Sequence, residues 1–170
     1  MRTDRLLLRP TRSADADRAF VIHSDWEVTR MLSVASFPPD RADIRRWFAD
    51  HGREWQAGRA YRFAIELQGR MIGVADIDGI REHEGNLGYW FDRSEWGRGY
   101  AFEAACAAVR FAREDVGLLK LMAGHAYDNP SSRRVLCKLG FSSVDVVPRF
   151  SRPRGETIMQ HRCMLTFSET

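Results

Sequence analysis

Apolar and polar positions alternate along some stretches of the chain and recur at helical spacing along others. Alternation or short apolar runs predict strands in "RLLLRP", "YRFAIEL", "RMIGVADIDGI", "GNLGYWFD", "LLKLMAGHAY", "FSSVDVVPRF" and "ETIMQHRCMLTF". Helical spacing predicts helices in "TRSADADRAFVIHSD", from Asp40 to about Gln56, from the turn "WGRG" to about Glu114, and in "NPSSRRVLCKLG". The predicted element order is therefore β-α-α-β-β-β-α-β-α-β-β.

This order predicts an α+β fold with a mixed central sheet and helices on both faces. It lacks the regular alternation of strand and helix that a doubly wound parallel sheet requires. A chain of 170 residues with 44% hydrophobic residues can bury one core and is short for two. Residues 1–170 are therefore expected to form a single domain.

Charge and hydropathy exclude several classes of protein. The formal net charge is +3 at pH 7 and the sequence pI is about 9.0, which is mildly basic. No stripe of arginines interleaved with aromatic residues accompanies this charge, so nucleic-acid binding is not expected. The N-terminal apolar patch is too short for a signal peptide, and no run approaches the roughly 18 apolar residues of a membrane helix. A cytoplasmic protein is the expectation.

The three cysteines, Cys106, Cys137 and Cys163, show no CxxC spacing. Each stands among apolar neighbours, which favours buried free thiols over disulfides or metal ligands. No metal site is expected.

The turn "WGRGYAFEA" joins a predicted strand to a predicted helix and carries the first chemical signal. Gly97 and Gly99 allow a sharp turn and a close approach of a ligand to the backbone. The first N–H groups of a helix are free and positively polarised, and Arg98 adds a full charge. The combination favours an anion such as a phosphate group, although Gly-x-Gly alone equally fits an ordinary turn. The Rossmann and Walker A patterns are not met.

A second motif, "NPSSRRVLCKLGF", follows one strand later at the start of another helix. Asn129 offers an amide donor and an acceptor that suit the amides of an extended ligand arm, and Ser132 places a hydroxyl one turn into the helix. Asn129 also fits a simple N-cap, and that interpretation stays open.

Together with "TDRLLLRP" at the start, these motifs resemble the GNAT superfamily of acyl-CoA N-acyltransferases, and more narrowly its RimJ/RimL-like branch of ribosomal-protein N-terminal acetyltransferases. The resemblance extends from Thr3 to about Phe167. It implies a GNAT fold, acetyl-CoA as the donor substrate, and a pantetheine arm held between two splayed strands. Trp96 stands where the broad family motif has Gln or Arg, as is usual in this branch.

The resemblance also implies the residues of the donor site. Backbone N–H groups of the glycine turn would hold the pyrophosphate, Arg98 would neutralise part of its charge, and Asn129 would contact the pantetheine arm. Arg133, Arg134 and Lys138 either reach the adenosine 3′-phosphate or face solvent. The implied acetyl-CoA-binding residues are Trp90, Phe91, Gly97, Arg98, Gly99, Tyr100, Ala101, Asn129 and Ser132.

The implied catalytic residues depart from the family pattern. Leu136 occupies the place where many relatives have a tyrosine acid, so Ser132 is the expected proton donor to the leaving thiolate, with a proton from solvent as the alternative. Asn86 occupies the place of an acidic residue, so Glu84 and Asp76, with Asp78, are the candidate bases. Solvated hairpin charges are the alternative interpretation of these three acids. Glu103 is expected to be structural, and His125 to be a core histidine rather than a proton relay.

The function implied is acetyl transfer to a primary amine, at a protein N-terminus or on a small amine or antibiotic, by direct attack in a ternary complex. The acceptor is expected between the first two helices and the final hairpin, with Trp26, Phe37, Trp47 and Tyr61 shaping its pocket. Two alternatives remain: an inactive acyl-CoA-binding regulator on the same fold, and a nucleotide- or RNA-binding module. A homodimer is expected by analogy with relatives only.

Overall fold

The computed structural model describes residues 1–167, which form one seven-stranded sheet and five α-helices. The strands are β1 (Leu7–Pro10), β2 (Tyr61–Leu67), β3 (Arg70–Arg81), β4 (Glu84–Phe91), β5 (Lys120–Ala126), β6 (Ser142–Ser151) and β7 (Glu156–Thr166). The helices are α1 (Ala16–His23), α2 (Trp26–Thr29), α3 (Arg41–Gln56), α4 (Tyr100–Glu114) and α5 (Pro130–Lys138). The predicted α+β class is confirmed. The single-turn helix α2 was not predicted from the sequence.

The strand order is β1-β2-β3-β4-β5-β7-β6, and every neighbouring pair is antiparallel except β4 and β5. Helices α1 and α3 cover one face, where Ala19 and Phe48 pack against Val74 of β3. The alanine-rich face of α4 packs on the other, where Ala104, Ala105 and Ala108 are buried. Small side chains on α4 bring the helix backbone close to the sheet, so its N-terminus lies beside the strands.

The parallel pair β4 and β5 is joined along only part of its length. Register pairs run from Glu84↔Lys120 to Asn86↔Met122 and then stop. Beyond that point β4 remains paired to β3 as far as Phe91, and β5 remains paired to β7 as far as Ala126. The sheet therefore opens into a wedge in its middle, with strand amides of both edges facing the gap.

Helix starts follow from local sequence chemistry. The Asp40 side chain accepts a hydrogen bond from the N–H of Asp43 at 2.9 Å and caps α3. Asn129 caps α5, and Pro130 occupies its first turn, where a missing N–H costs nothing.

The prediction that all three cysteines are buried is wrong for two of them. Cys106 on α4 and Cys137 on α5 are exposed, whereas Cys163 on β7 is buried. The reason is amphipathicity: both helices turn their apolar stripe to the sheet, and the two cysteines lie outside that stripe. Among residues 1–167, no helix is both long and apolar enough to cross a membrane.

Candidate active site

The wedge between β4 and β5 continues into a cavity of about 380 Å³ that reaches the start of α4 and the first turns of α5. We call it the donor cavity. It is lined by eight of the nine residues that the family resemblance implies for acetyl-CoA: Trp90, Phe91, Gly97, Gly99, Tyr100, Ala101, Asn129 and Ser132.

The glycine turn leaves its backbone open to this cavity. Gly97 and Gly99 have φ angles of 76° and 82°, in the left-handed region that favours glycine. Gly99 is the N-cap of α4 and provides no side chain to bond the first N–H groups of the helix. Apart from its two chain neighbours, no heavy atom of residues 1–167 lies within 4 Å of the position that a Cβ of Gly97 would take. The turn therefore has the free donors and the space that a pyrophosphate requires.

Arg98 is the implied donor-site residue that does not line the cavity. Its side chain is 59% exposed, and Nη1 lies 3.6 Å from Oε2 of the buried Glu95. Lys138 and Arg134 line the cavity on its α5 side, whereas Arg133 does not. The cationic side chains beside the donor cavity thus come from α5, one strand later in the chain than the glycine turn.

Asn129 and Ser132 lie together at the α5 wall of the donor cavity. The Oδ1 atom of Asn129 accepts a hydrogen bond from the N–H of Ser132 at 3.0 Å, so Asn129 is an N-cap as well as a lining residue. The Ser132 Oγ lies 2.8 Å from the hydroxyl of Tyr89 on β4. Burial raises the pKa of Tyr89 to about 12, so its phenol remains protonated and available as a donor.

Tyr89 was missed from the sequence, although strand alternation contained the signal. Leu87, Tyr89 and Phe91 share the face of β4 that packs against α4 and α5, and Gly88 and Trp90 share the other. Leu136, in the family's tyrosine position, is buried in the core. The phenol beside Ser132 is that of Tyr89, which therefore comes from strand β4 rather than from α5.

A second cavity, of about 840 Å³, lies on the α1–α3 side of the sheet. We call it the acceptor cavity. Its walls come from residues 31–36, α3, β3 and the β6–β7 hairpin, with Trp47 and Trp90 as large aromatic surfaces. The hairpin is tied to the opposite wall, because the N–H of Arg152 donates to the carbonyl of Ser33 at 2.9 Å. The cavity lies between the segments predicted from the sequence to hold the acceptor, and binding of an amine there stays a prediction.

The floor of the acceptor cavity carries a charged network. Arg62 of β2 is ion-paired with Asp76 and Asp78 of β3, and with Glu54 of α3 at 2.9 Å. Three carboxylates surround this guanidinium, so the network has an excess of negative charge. Burial raises the pKa of Asp76 to about 6, against the opposing effect of Arg62. A cationic amine fits such a floor.

Glu84, the other candidate base, lies outside both cavities. It begins β4 at the end where the strands are still paired, and its carboxylate forms an ion pair with Lys120. Tyr61 also lies elsewhere, on the α4 side of the sheet, packed against Trp55 and Phe111 with ring centroids 5.0 and 5.1 Å away. Trp26 and Phe37 pack on each other, and neither lines the cavity.

Two histidines stand at the walls of the acceptor cavity. His23 packs edge-on against Trp90 with ring centroids 4.5 Å apart, and burial lowers its pKa to about 4. His125 is buried on β5 and stacks on His161 of β7, with its Nδ1 atom 2.9 Å from the carbonyl oxygen of Ala126. His125 therefore has the partner expected of a core histidine, although it also lines both cavities.

The geometry matches a known family. The family model described as an acetyltransferase (GNAT) domain matches residues 5–142. The chain belongs to the GNAT acetyltransferases. It is accordingly an acetyl-CoA-dependent N-acetyltransferase.

Relatives align with this acetyltransferase over most of its length. It is 26% identical over 160 residues to the uncharacterized N-acetyltransferase p20 of Bacillus licheniformis, covering 92% of this chain and 89% of that protein. It is 26% identical over 155 residues to the ribosomal protein uS5-alanine N-acetyltransferase of Escherichia coli K12, covering 82% and 76%. The solved structure of RimL, the ribosomal L7/L12 alpha-N-protein acetyltransferase, in complex with coenzyme A superposes with a TM-score of 0.87 at 17% identity, covering 97% and 96%.

Proposed function

We propose that this acetyltransferase transfers the acetyl group directly from acetyl-CoA to the α-amino group of a peptide or protein N-terminus, in a ternary complex. The observation that carries the proposal is that the donor and acceptor cavities share one wall. Gly88, Tyr89 and Trp90 of β4 and Gly124 and His125 of β5 line both. A thioester at the inner end of the donor cavity would therefore meet an amine entering from the other side, without a covalent enzyme intermediate.

The amine must lose a proton to attack, because an α-amino group has a pKa near 8 and is mostly protonated at neutral pH. Asp76 is the acidic residue at the acceptor floor with a pKa raised toward neutrality, and it lies opposite Gly88 in the β3–β4 register. Its carboxylate would hold the ammonium group and accept the proton, directly or through water. A free N–H of β4 beyond Asn86 would stabilise the negative charge that develops on the carbonyl oxygen.

The other half of the step concerns the leaving group. As the carbon–nitrogen bond forms, the carbon–sulfur bond breaks and the sulfur departs as a thiolate. Ser132 would donate its hydroxyl proton to this sulfur, while the Tyr89 hydroxyl donates a hydrogen bond to the Ser132 oxygen. Ser132 then recovers a proton from solvent. The nitrogen loses two protons, one before it attacks and one as the intermediate collapses to the amide, and both leave to solvent through Asp76.

Two features support a peptide acceptor over a small molecule. The acceptor cavity, at about 840 Å³, is more than twice the volume of the donor cavity, at about 380 Å³. Its rim carries Arg149 and Arg152 of the final hairpin, which suit carboxylates downstream of the amino group. The uS5-alanine acetyltransferase of Escherichia coli is named for such a substrate. The acidic floor by itself favours a second candidate, a small polycation such as a polyamine.

A matched acceptor panel separates these candidates. We expect thiol release from acetyl-CoA, with the mass gain of one acetyl group, for a peptide that begins with alanine and carries acidic residues after it. The same peptide with a blocked N-terminus and an internal lysine should be inert. Faster acetylation of spermidine would overturn the peptide proposal. Binding of CoA without turnover on any amine would favour the inactive regulator, and stabilisation by oligonucleotides but not by CoA would favour the nucleic-acid module.

The remaining expectations stay predictions. The homodimer and the cytoplasmic location rest on analogy and on sequence composition. We likewise propose that residues 1–170 form one domain, and the single sheet that runs through residues 1–167 supports this proposal.

A further inference from the structure

The N-terminal segment contacts the first turn of α4 without lining the donor cavity. The carboxylate of Glu103 accepts three hydrogen bonds there, from the Thr3 hydroxyl at 2.6 Å, the Arg5 N–H at 2.8 Å and the Arg5 Nε at 2.7 Å. Although partial burial opposes it, these bonds hold the pKa of Glu103 below its ordinary value. Glu103 was predicted to be structural, and these contacts show what it anchors.

The same arginine also reaches into the glycine turn. Arg5 Nη1 donates to the carbonyl oxygen of Arg98 at 2.9 Å, and its guanidinium lies over the ring of Tyr100, 4.5 Å from the centroid. Arg5 does not line the donor cavity. One planar side chain thus joins a carboxylate in the first helical turn, a carbonyl within the glycine turn and the ring of the first helical residue.

The bond to the Arg98 carbonyl fixes the orientation of a peptide plane. In a trans peptide the C=O and the following N–H point in opposite directions. Holding the Arg98 carbonyl towards Arg5 therefore turns the N–H of Gly99 away from Arg5, a side chain that does not line the donor cavity. The planes between Gly97 and Gly99 have few restraints of their own, because both glycines have wide conformational freedom.

We infer that Arg5, anchored by Glu103, is a positioning residue that preorganises the glycine turn for the pyrophosphate of acetyl-CoA. The inference rests on the proposed placement of the pyrophosphate at this turn. We call the contacts of Arg5 with Glu103, the Arg98 carbonyl and Tyr100 the clamp. Without the clamp, the glycine turn would become ordered only when the donor binds, and this loss of conformational entropy would lower the affinity for the donor while the chemistry at the thioester is unchanged. The clamp should therefore matter for donors that carry a pyrophosphate and not for donors that lack one.

The test compares Arg5→Ala with the wild type on two donors. We expect CoA to bind about tenfold more weakly in calorimetry, and kcat/KM for acetyl-CoA to fall by about the same factor, with kcat at saturating donor within about twofold of wild type. With acetyl-pantetheine, which has no pyrophosphate, kcat/KM should be unchanged. An equal loss on both donors, or unchanged CoA affinity, would overturn the inference.

Two further variants separate the clamp from simple charge attraction. Arg5→Lys keeps the charge but cannot bond Glu103 and the Arg98 carbonyl together, so we expect it to bind CoA as weakly as Arg5→Ala. Wild-type affinity in Arg5→Lys would contradict the clamp. Arg2→Ala removes a nearby charge whose side chain makes no hydrogen bond within residues 1–167, and it should leave the affinity for CoA unchanged.

Glu103→Gln tests the anchor. If Glu103 acts through Arg5, the double variant Arg5→Ala/Glu103→Gln should bind CoA no more weakly than Arg5→Ala alone, whereas additive losses would contradict the coupling. These binding measurements need no acceptor. A protein that binds CoA but acetylates no amine would therefore contradict the proposed function, and the CoA affinities of the variants would still test the clamp.

Discussion

The donor and acceptor cavities share one wall but are built in different ways. The donor cavity is lined by residues of the two contiguous segments 97–101 and 129–132, at the starts of α4 and α5, together with apolar side chains of β4 and of the segment 31–32. The acceptor cavity is lined by residues of β2, β3, α3, the segment 31–36 and the final hairpin, and its charged and aromatic side chains include Arg62, Asp76 and Trp47. We therefore expect local backbone geometry to hold the constant part of the donor, and side chains that are distant in sequence to recognise the amine.

The difference predicts that changes on one side leave the other side intact. A variant of the acceptor floor should lower turnover of the amine without weakening CoA binding. A variant of the glycine turn should weaken CoA binding without changing the KM for the amine. A residue of the shared wall should change kcat alone. The four predictions below run from the largest expected effect to the smallest.

His23 is the acceptor-side group for which we expect the largest effect, on stability. Its pKa is lowered to about 4 by burial, so the folded protein keeps it neutral while the unfolded chain binds a proton near pH 6.5. Stability from this group is present above pH 6.5 and is lost as the pH falls towards 4. One pKa unit is worth about 1.4 kcal/mol, so the loss is on the order of 3 kcal/mol.

The variant His23→Phe removes this proton uptake while keeping an aromatic ring against Trp90. We expect the difference in free energy of unfolding between this variant and the wild type, measured in urea, to increase steadily in favour of the variant as the pH is lowered from 6.5 to 4. The exposed His83→Asn serves as the control and should show no such trend. A constant difference between His23→Phe and wild type would show that His23 is not held neutral.

Asp76→Asn tests the acceptor floor. We expect kcat/KM for the amine to fall about 100-fold, the low end of the effect of removing a general base. In the wild type kcat/KM should rise with pH up to about 6, because the carboxylate must be ionised, and the variant should lack this limb. The affinity for CoA should not change. Asp145→Asn, which breaks an exposed ion pair with Arg162, is the matched control; an equal loss there would contradict a specific role.

Gly99→Ala tests the donor side. An alanine with φ near 82° costs roughly 1–2 kcal/mol, so the turn should relax and bind CoA about tenfold more weakly. The KM for the amine should stay as it is. Gly52→Ala, in the interior of α3 with nothing within 4 Å of the new Cβ, should bind CoA normally and be slightly more stable. Unchanged CoA affinity in Gly99→Ala would remove the glycine turn from the donor site.

Tyr89→Phe tests the shared wall. Loss of one hydrogen bond to Ser132 should lower kcat about fivefold and leave both the CoA affinity and the KM for the amine within about twofold. In a Ser132→Ala background the same change should have no further effect on kcat, because the bond has no acceptor. Tyr127→Phe, at an exposed position outside both cavities, is the control. A fivefold loss that persists in the Ser132→Ala background would contradict the coupling.

Local sequence patterns were sufficient for the elements and for most of the donor side. Alternation and helical spacing located every strand and the long helices, since burial of one face imposes its period on the chain. The motifs at Gly97–Ala101 and Asn129–Ser132 were readable because each is a few contiguous residues at a helix start. The one-turn helix α2 has too few residues to show a period, and the exposure of Cys106 depended on which stripe of α4 meets the sheet.

Positions that depend on pairing between distant segments were not readable in the same way. Glu84 and Asp76 were equal candidates in the sequence, but Glu84 lies at the closed end of the β4–β5 pair and Asp76 at the acceptor floor. Even within the motif, the side chain of Arg98 lies beside Glu95, only three residues earlier, and outside the donor cavity, which the motif alone did not show. Tyr89 gains its partner from a helix 43 residues away.

The sequence by itself determined the order of elements, because turn geometry, capping and the period of apolar residues are short-range properties. It indicated the family and the donor through the resemblance of its N-terminal stretch and two contiguous motifs to the GNAT acetyltransferases. The tertiary structure alone decided which acid lines the acceptor cavity, which hydroxyl partners Ser132 and which side chain bonds the glycine turn. Those contacts join residues between 14 and 100 positions apart in the chain, such as Arg62 with Asp76 and Thr3 with Glu103. Strand register and helix packing bring these residues together, and neither can be predicted from a local sequence pattern.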